Sequence, residues 1–315
     1  MRELAQQVDV VVENFRPGAA ARLGLGAEDL RALNPRLVYC SISGFGQTGP
    51  WSQRAGYDLA VQGLSGLQSL TGDPAGPPTK MGASIADLVS GLYAAQGILL
   101  ALYRRGQTGQ GETVDVSMLD SVLSLLTYQA SGWLHGGPVP MRAGNRHPSI
   151  APYETFAAAD GWLNLAVGND AQWLKFCEST ERSDLATDPR FATNPQRVAH
   201  RDELAAVLQP LLAARTVAEW LALFAKAGVP CGPILNVDQA LQQEVVAARD
   251  MVVPLDHPSA GPIRVTGVPV RLSEAPGSVR LPPPRLGEHT DAILREALNL
   301  SDATLTELRQ AGVIA

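Results

Sequence analysis

A chain of 315 residues, 45% hydrophobic and 18% charged, has the apolar mass for a sizeable core and, at roughly 150 residues per domain, for two domains. Its net charge of −6, spread without long runs, argues against a nucleic-acid or anionic-membrane surface while leaving room for a local basic pocket that takes a phosphorylated ligand. Cys40, Cys177 and Cys231 are too few and too far apart for a disulfide framework or a zinc pattern, which fits a reducing, cytoplasmic setting.

Met1 leads directly into RELAQQ, a polar helical turn with none of the marks of a signal peptide, and no continuous apolar run reaches the ~18 residues of a membrane span. VDVVV (Val8–Val12) is the kind of short apolar run that forms a strand covered on both faces; ENFRPG then turns the chain and AAARLGL starts a helix. LVYCSIS (Leu37–Ser43) is a second such strand, closed by GFGQTGP. DLAVQGLSGLQSLTG (Asp58–Gly72) predicts one helix ending in a glycine-rich turn. In ASIADLVSGLYAAQGILLALYRRGQTGQGE (Ala83–Glu112), Leu88, Leu92, Ala95, Leu99 and Leu102 recur at three and four residues, predicting an amphipathic or fully buried helix. Arg104 and Arg105 suit its last turn and Gly106 its left-handed cap. ETVDVSM (Glu112–Met118) is another strand and LDSVLSLLTYQ another helix.

From about Ser131 the texture turns rich in Gly and Pro, as a linker does. Beyond it, Tyr153–Phe156 and Trp162–Val167 read as a hairpin turning through ADG. Helical segments follow at Ala171–Cys177, Arg201–Leu212 and Val217–Ala227, and from about Val245 the chain is again Pro-rich and irregular. Short buried strands alternating with helices predict a parallel α/β sheet for the first part; the later segments make a smaller α+β unit.

Three motif readings can be weighed. GFGQTG (Gly44–Gly49) matches a dinucleotide fingerprint in letters, yet Pro50 and Trp51 stand where a helix should open on the pyrophosphate. The plainer reading is a loop at the C-terminal edge of a parallel sheet, where such folds bind ligands, which makes Gly46 and Gln47 candidate substrate contacts. The five histidines include no pair at metal-binding spacing, and neither H-E-x-x-H nor a G-x-S-x-G elbow occurs.

That leaves Asp87, a charge at the mouth of an apolar helix. As an N-cap it would accept bonds from orphan N–H groups and contribute roughly 1 kcal/mol. The same position suits a nucleophile, held ionised by helix N–H groups and the dipole and stripped of water by Ile85 and Leu88. Position alone does not choose between them.

Seven segments in order do bear on the choice. VENFRPG, SISGFGQTGP, AGYDLAVQGLSGLQSLTG, ADLVSGLYAAQGILLAL, TGQGETVDVSMLDS, GVPCGPI and LGEHTDAIL resemble the family III CoA-transferases, the CaiB/BaiF family, over a similarity running from Val8 to Val313. The resemblance implies acyl-CoA chemistry on a carboxylate, with Asp87 matching the family's nucleophile and coenzyme A or acyl-CoA serving as substrate, not as a resident cofactor. Asn14, Phe15, Arg22 and Met118 fall where the family contacts CoA. Tyr57 stands where the family's racemases carry a histidine, which favours transferase over epimerase, because a phenol titrating near 10 is a poor base at neutral pH. Tyr57 is then free to hydrogen-bond the acyl group.

The implied architecture is a Rossmann-like α/β large domain over 1–130, a linker over 131–148, a small α+β domain over 149–242, and a return to the large domain over 243–315. The family forms interlocked homodimers, so a homodimer is the expected assembly, with no nucleic-acid or membrane partner. Family members begin with further Rossmann-like strands, whereas this sequence enters at VDVVVENF; the expectation is an N-terminally shortened large domain. An acyl-CoA epimerase and a non-catalytic truncated homologue are the competing readings. GYDLAVQGLSGLQSLTG is similar to members that use succinyl-CoA or related dicarboxylate donors.

Overall fold

Three short parallel strands organise the first part of the chain: β1 (Val10–Glu13), β2 (Val38–Ser43) and β3 (Thr113–Ser117), in that spatial order. The register places Val12 opposite Cys40 and Cys40 opposite Val114. This computed structural model describes residues 1–314. It divides into two compact units, Met1–Gly144 with Ala292–Thr306, and Asn145–Asp291 with 307–314.

In the first unit β2 is the central strand, and its residues Val38, Tyr39 and Cys40 are buried. Strand β1 differs from expectation. It pairs on one side only, and Val12 is 54% exposed instead of being covered on both faces. Between β1 and β2 lie α1's successors α2 (Ala19–Arg22) and α3 (Ala27–Leu33), α1 itself (Arg2–Ala5) preceding the sheet. Leu30 of α3 packs with Ala5, Leu37 and Tyr39.

The crossover from β2 to β3 carries α4 (Asp58–Leu64), α5 (Leu67–Leu70) and the 24-residue α6 (Ile85–Thr108). The single helix expected over Asp58–Gly72 is broken at Ser65–Gly66, because Gly66 adopts a left-handed conformation, φ +84°, that ends one helix and starts the next. Helix α6 also ends a turn later than predicted. The left-handed cap is Gly109, φ +74°, not Gly106, and its N–H bonds Arg105 O at 2.8 Å. Arg105 secures that extra turn by reaching Asp9 at 2.9 Å and the Arg36 carbonyl at 3.2 Å.

The buried stripe of α6 is not its leucines. Ala86, Val89, Ser90, Ala94 and Ala101 are the buried positions, whereas Leu88, Leu92 and Leu99 are exposed. The reason is close approach. A Cβ on Gly97 would sit 2.7 Å from Val114 Cγ1, so small residues are the only ones that fit between helix and strand. By length and composition α6 is apolar enough to cross a membrane, a property the sequence reading missed because glycine, serine and glutamine interrupt every continuous run. Here it packs on β2, β3, α4 and the following α7 (Met118–Leu123). Helix α8 (Thr127–Leu134) then extends past Ser131, where a linker was expected.

The second unit has an antiparallel sheet of β4 (Tyr153–Ala157), β5 (Trp162–Ala166) and β6 (Cys231–Pro233), with the predicted hairpin displaced by one residue at its ends. Helices α9 (Asp170–Ser179), α10 (Ser183–Thr187), α11 (Asn194–Ala199), α12 (Arg201–Leu212) and α13 (Val217–Ala227) complete it. One continuous core joins Trp173, Phe176, Trp220 and Phe224, whose rings stack at 5.2–5.5 Å. Arg197 is fully buried within the unit and satisfied by Ala151 O, Phe191 O and Asp170 at 2.7–3.0 Å. The stretch after Val245 is not irregular: β7 (Val252–His257) and β8 (Gly261–Thr266) form a second hairpin. Pro254 and Pro262 had masked it; both are accommodated because a two-stranded ribbon leaves every strand with a free edge.

Candidate active site

The C-terminal ends of all three strands of the first unit open into one cleft of about 340 Å³. Asn14 and Phe15 leave β1 there, Ser43 and Gly44 end β2, and Met118 follows β3. Parallel sheets present their ligand sites at this edge, where strands stop and helices begin. Tyr57, at the N-cap of α4, and Asp87, in the first turn of α6, close the lining.

Two glycines fix the cleft wall. The backbones at Gly44 and Gly56 come so close that a Cβ on Gly56 would lie 2.5 Å from Gly44 Cα, and one on Gly44 would lie 2.7 Å from Gly56 Cα. The loop Trp51–Tyr57 is thereby pinned onto the exit of β2. Ser43, 7% exposed, has a buried hydroxyl oxygen with no partner among the described residues at the same edge.

Asp87 is not the cap of its helix. The N-cap is Ser84, which makes no side-chain bond to the helix. The cap comes from another helix: the Ala86 N–H donates to Asp58 Oδ1 at 2.9 Å. Asp58 Oδ2 accepts from Gln62 Nε2 at 2.8 Å, and the fully buried Gln62 accepts at Oε1 from the Met81 N–H at 2.9 Å. Asp58 and Gln62 therefore hold both the start of α6 and the loop leading into it.

With that N–H taken, the Asp87 carboxylate accepts no hydrogen bond among the described residues and faces the cleft exposed. Partial burial pushes its pKa up from the ordinary aspartate value, and the neighbouring Asp58 carboxylate adds to the rise. The expectation that helix N–H groups would lower it is overturned for this reason: a second carboxylate has claimed the donor. The result is a carboxylate with a raised pKa and no hydrogen-bond partner among the described residues at the mouth of a cleft, a state suited to nucleophilic attack on an activated carbonyl.

Comparison with known proteins identifies the family. Residues 1–290 match the family described as CoA-transferase family III. The chain belongs to that family. As a family III CoA-transferase it is 39% identical to the human succinyl-CoA:glutarate CoA-transferase, the match covering 100% of this chain and 72% of that protein. It is 42% identical to the acetyl-CoA:oxalate CoA-transferase of Acetobacter aceti, over 93% of this chain and 75% of the relative. The crystal structure of a CAIB/BAIF family protein from Brucella suis superposes with a TM-score of 0.83 at 41% identity, covering 94% of this chain and 77% of that one. The mixed α/β fold with its parallel sheet is thus the family's fold.

Of the residues singled out in the transferase sequence, Asp87, Tyr57, Asn14, Phe15 and Met118 meet at the cleft. Arg22, Gly46 and Gln47 do not line it. Arg22 lies exposed on α2, its guanidinium folded toward Gly18. Gly46 is buried over Asp115, and the Gln47 N–H donates to the Asp115 carboxylate at 3.0 Å, so the glycine-rich loop turns onto β3 instead of into the cleft. Sequence reasoning passed over Ser43, Arg16, Arg54 and Asp58. Asp58 was in plain view, directly after Tyr57 in GYD, but its bond to a residue 28 positions later leaves no local signature.

Proposed function

We propose that this enzyme moves CoA from an acyl-CoA, succinyl-CoA foremost, to a second carboxylic acid through a covalent intermediate on Asp87. The observation that carries the proposal is the free, raised-pKa carboxylate of Asp87 at the cleft where the strand ends converge. The substrate choice rests on relatives named succinyl-CoA:glutarate and succinate–glutarate CoA-transferase at 39% and 40% identity.

An Asp87 oxygen attacks the donor thioester carbonyl; the C–S bond breaks, CoA thiolate leaves, and a mixed anhydride joins Asp87 to the acyl group. The thiolate then attacks the aspartyl carbonyl, releasing the donor acid and leaving an aspartyl-CoA thioester. The acceptor carboxylate attacks that thioester, expelling the thiolate and forming a second anhydride. Return of the thiolate to the acceptor's carbonyl gives the new acyl-CoA and frees Asp87. No proton moves in the cycle. The raised basicity of Asp87 brings it toward that of the alkyl carboxylates it exchanges with, which keeps the steps near balance.

Asn14, Phe15 and Met118 are assigned to the CoA end, with Phe15 exposed to lie along the apolar portions of CoA. Arg22 serves the same end from outside the cleft, as a phosphate contact. Tyr57, exposed at the cleft, supplies a hydrogen bond to the acyl oxygens. A homodimer, as the family resemblance implies, is part of this reading, and size-exclusion chromatography with light scattering tests it.

Intact mass after incubation with succinyl-CoA tests the chemistry. A hydroxylamine-labile adduct of CoA mass, absent in Asp87→Asn, is expected. A folded enzyme that turns over without forming it, or whose Asp87→Asn variant still forms it, refutes Asp87 as the nucleophile.

A further inference from the structure

The cleft that holds Asp87 is also lined by two guanidinium groups, Arg16 and Arg54, and neither makes an ion pair among the described residues. Several other arginines of the first unit are engaged: Arg104 with Glu112, Arg105 with Asp9, Arg31 with Gly111 O, and Arg142 with the carbonyls of Asp73 and Gly76. Free cations facing a cleft in a protein of net charge −6 point to an anionic ligand. Arg16 follows Asn14 and Phe15, the residues proposed above for the CoA end, whereas Arg54 stands on a separate loop, between Trp51 and Tyr57.

Arg54 is also held in place. Its guanidinium carbon stands 4.4 Å from the centroid of Trp51, which meets Phe45 edge to face at 5.5 Å. The Arg54 N–H closes the turn on Trp51 O at 2.8 Å, and the Gly44–Gly56 contact fastens the far end of the same loop. The guanidinium lies over the ring and its N–H groups make no ion pair among the described residues, which leaves them available to a carboxylate in the fork geometry that gives arginine its selectivity.

We propose that Arg54 binds the remote carboxylate of a dicarboxylic acyl group whose other carboxyl reacts at Asp87, so that this residue selects dicarboxylic over monocarboxylic substrates. This rests on the acyl-CoA reading of the cleft. A phosphate of CoA is the other anion such a guanidinium can meet, and the experiment separates the two.

Binding of succinyl-CoA, acetyl-CoA and free CoA is measured by calorimetry on Asp87→Asn and on Asp87→Asn/Arg54→Gln, where no chemistry intervenes. Loss of one charged hydrogen-bonding partner weakens succinyl-CoA binding by about 10- to 100-fold, while acetyl-CoA and CoA stay within about 2-fold; Arg54→Lys retains part of the discrimination. Equal losses for all three ligands assign Arg54 to a phosphate and overturn the proposal, as does an unchanged or undetectable affinity for succinyl-CoA. Because the readout is binding, selectivity seen here stands even if the mass experiment finds no adduct on Asp87, and an adduct stands even if selectivity is absent.

Discussion

In the proposed mechanism Asp87 is the nucleophile, and its environment then sets a pH dependence. Attack needs the ionised carboxylate, so the rate of adduct formation falls as pH drops through a pKa raised from the ordinary aspartate value. Asp58→Asn removes the facing charge while its side-chain oxygen can still accept from Ala86; the acid limb then moves to lower pH, as stopped-flow or quench-flow adduct formation across pH will register. A limb that stays in place eliminates Asp58 as a contributor. Stability follows with the opposite sign from a salt-bridged carboxylate. A raised native pKa means that the folded state favours the protonated form. Its stabilising contribution is present below the unfolded-state pKa and is lost as pH rises through the folded-state one. Asp87→Asn therefore leaves the thermal midpoint at pH 7 equal to or above that of the parent, with the difference shrinking in acid; a lower midpoint at pH 7 contradicts this account. Asp87 stood out as a lone carboxylate at a helix start, but its position left cap and nucleophile open, and only the family resemblance favoured the second. Arg54 was not legible, because a guanidinium on a loop acquires meaning only when its neighbours in space are known.

At the level of elements, α6 shows how a correct period can give the wrong face. Its leucines and its alanines both recur at helical spacing, and hydropathy selects the leucines. The sheet selects the alanines, since β3 leaves no room for more. Ala94→Leu, at a position 3% exposed against Cys40 and Val116, overfills that contact and costs about 1–3 kcal/mol by denaturant melts. A neutral outcome is incompatible with the close packing described. The start of the same helix depends on α4, so Asp58→Ala, which deletes the cap, costs about 0.5–2 kcal/mol. It also slows adduct formation by misplacing Asp87. The hairpin of β4 and β5 was readable from its alternation and polar turn, whereas β7 and β8 carried prolines that read as breaks. The extra turn of α6 was hidden for a different reason: it is secured by Arg105 contacts with residues far back in the sequence.

On the scale of the whole molecule, the two units differ in how their apolar residues are gathered. The second has one continuous cluster built on stacked aromatic rings, while the buried residues of the first are divided among separate clusters on either side of a three-stranded sheet. Local opening follows that difference. Limited proteolysis of the intact chain is expected to cut first within 1–144 and to leave a fragment covering most of Asn145–Asp291, identified by mass; early cleavage inside α9–α13 contradicts it. The cap that Asp58 lends to α6 also imposes an order on assembly. A peptide covering only α6 has no side-chain cap of its own, so its first turn frays until α4 docks. During synthesis Asp58 emerges 28 residues ahead of Ala86, so the acceptor is already waiting when its donor leaves the ribosome. A chain arrested before that docking displays a helix whose first turn, with Asp87 in it, is not yet set.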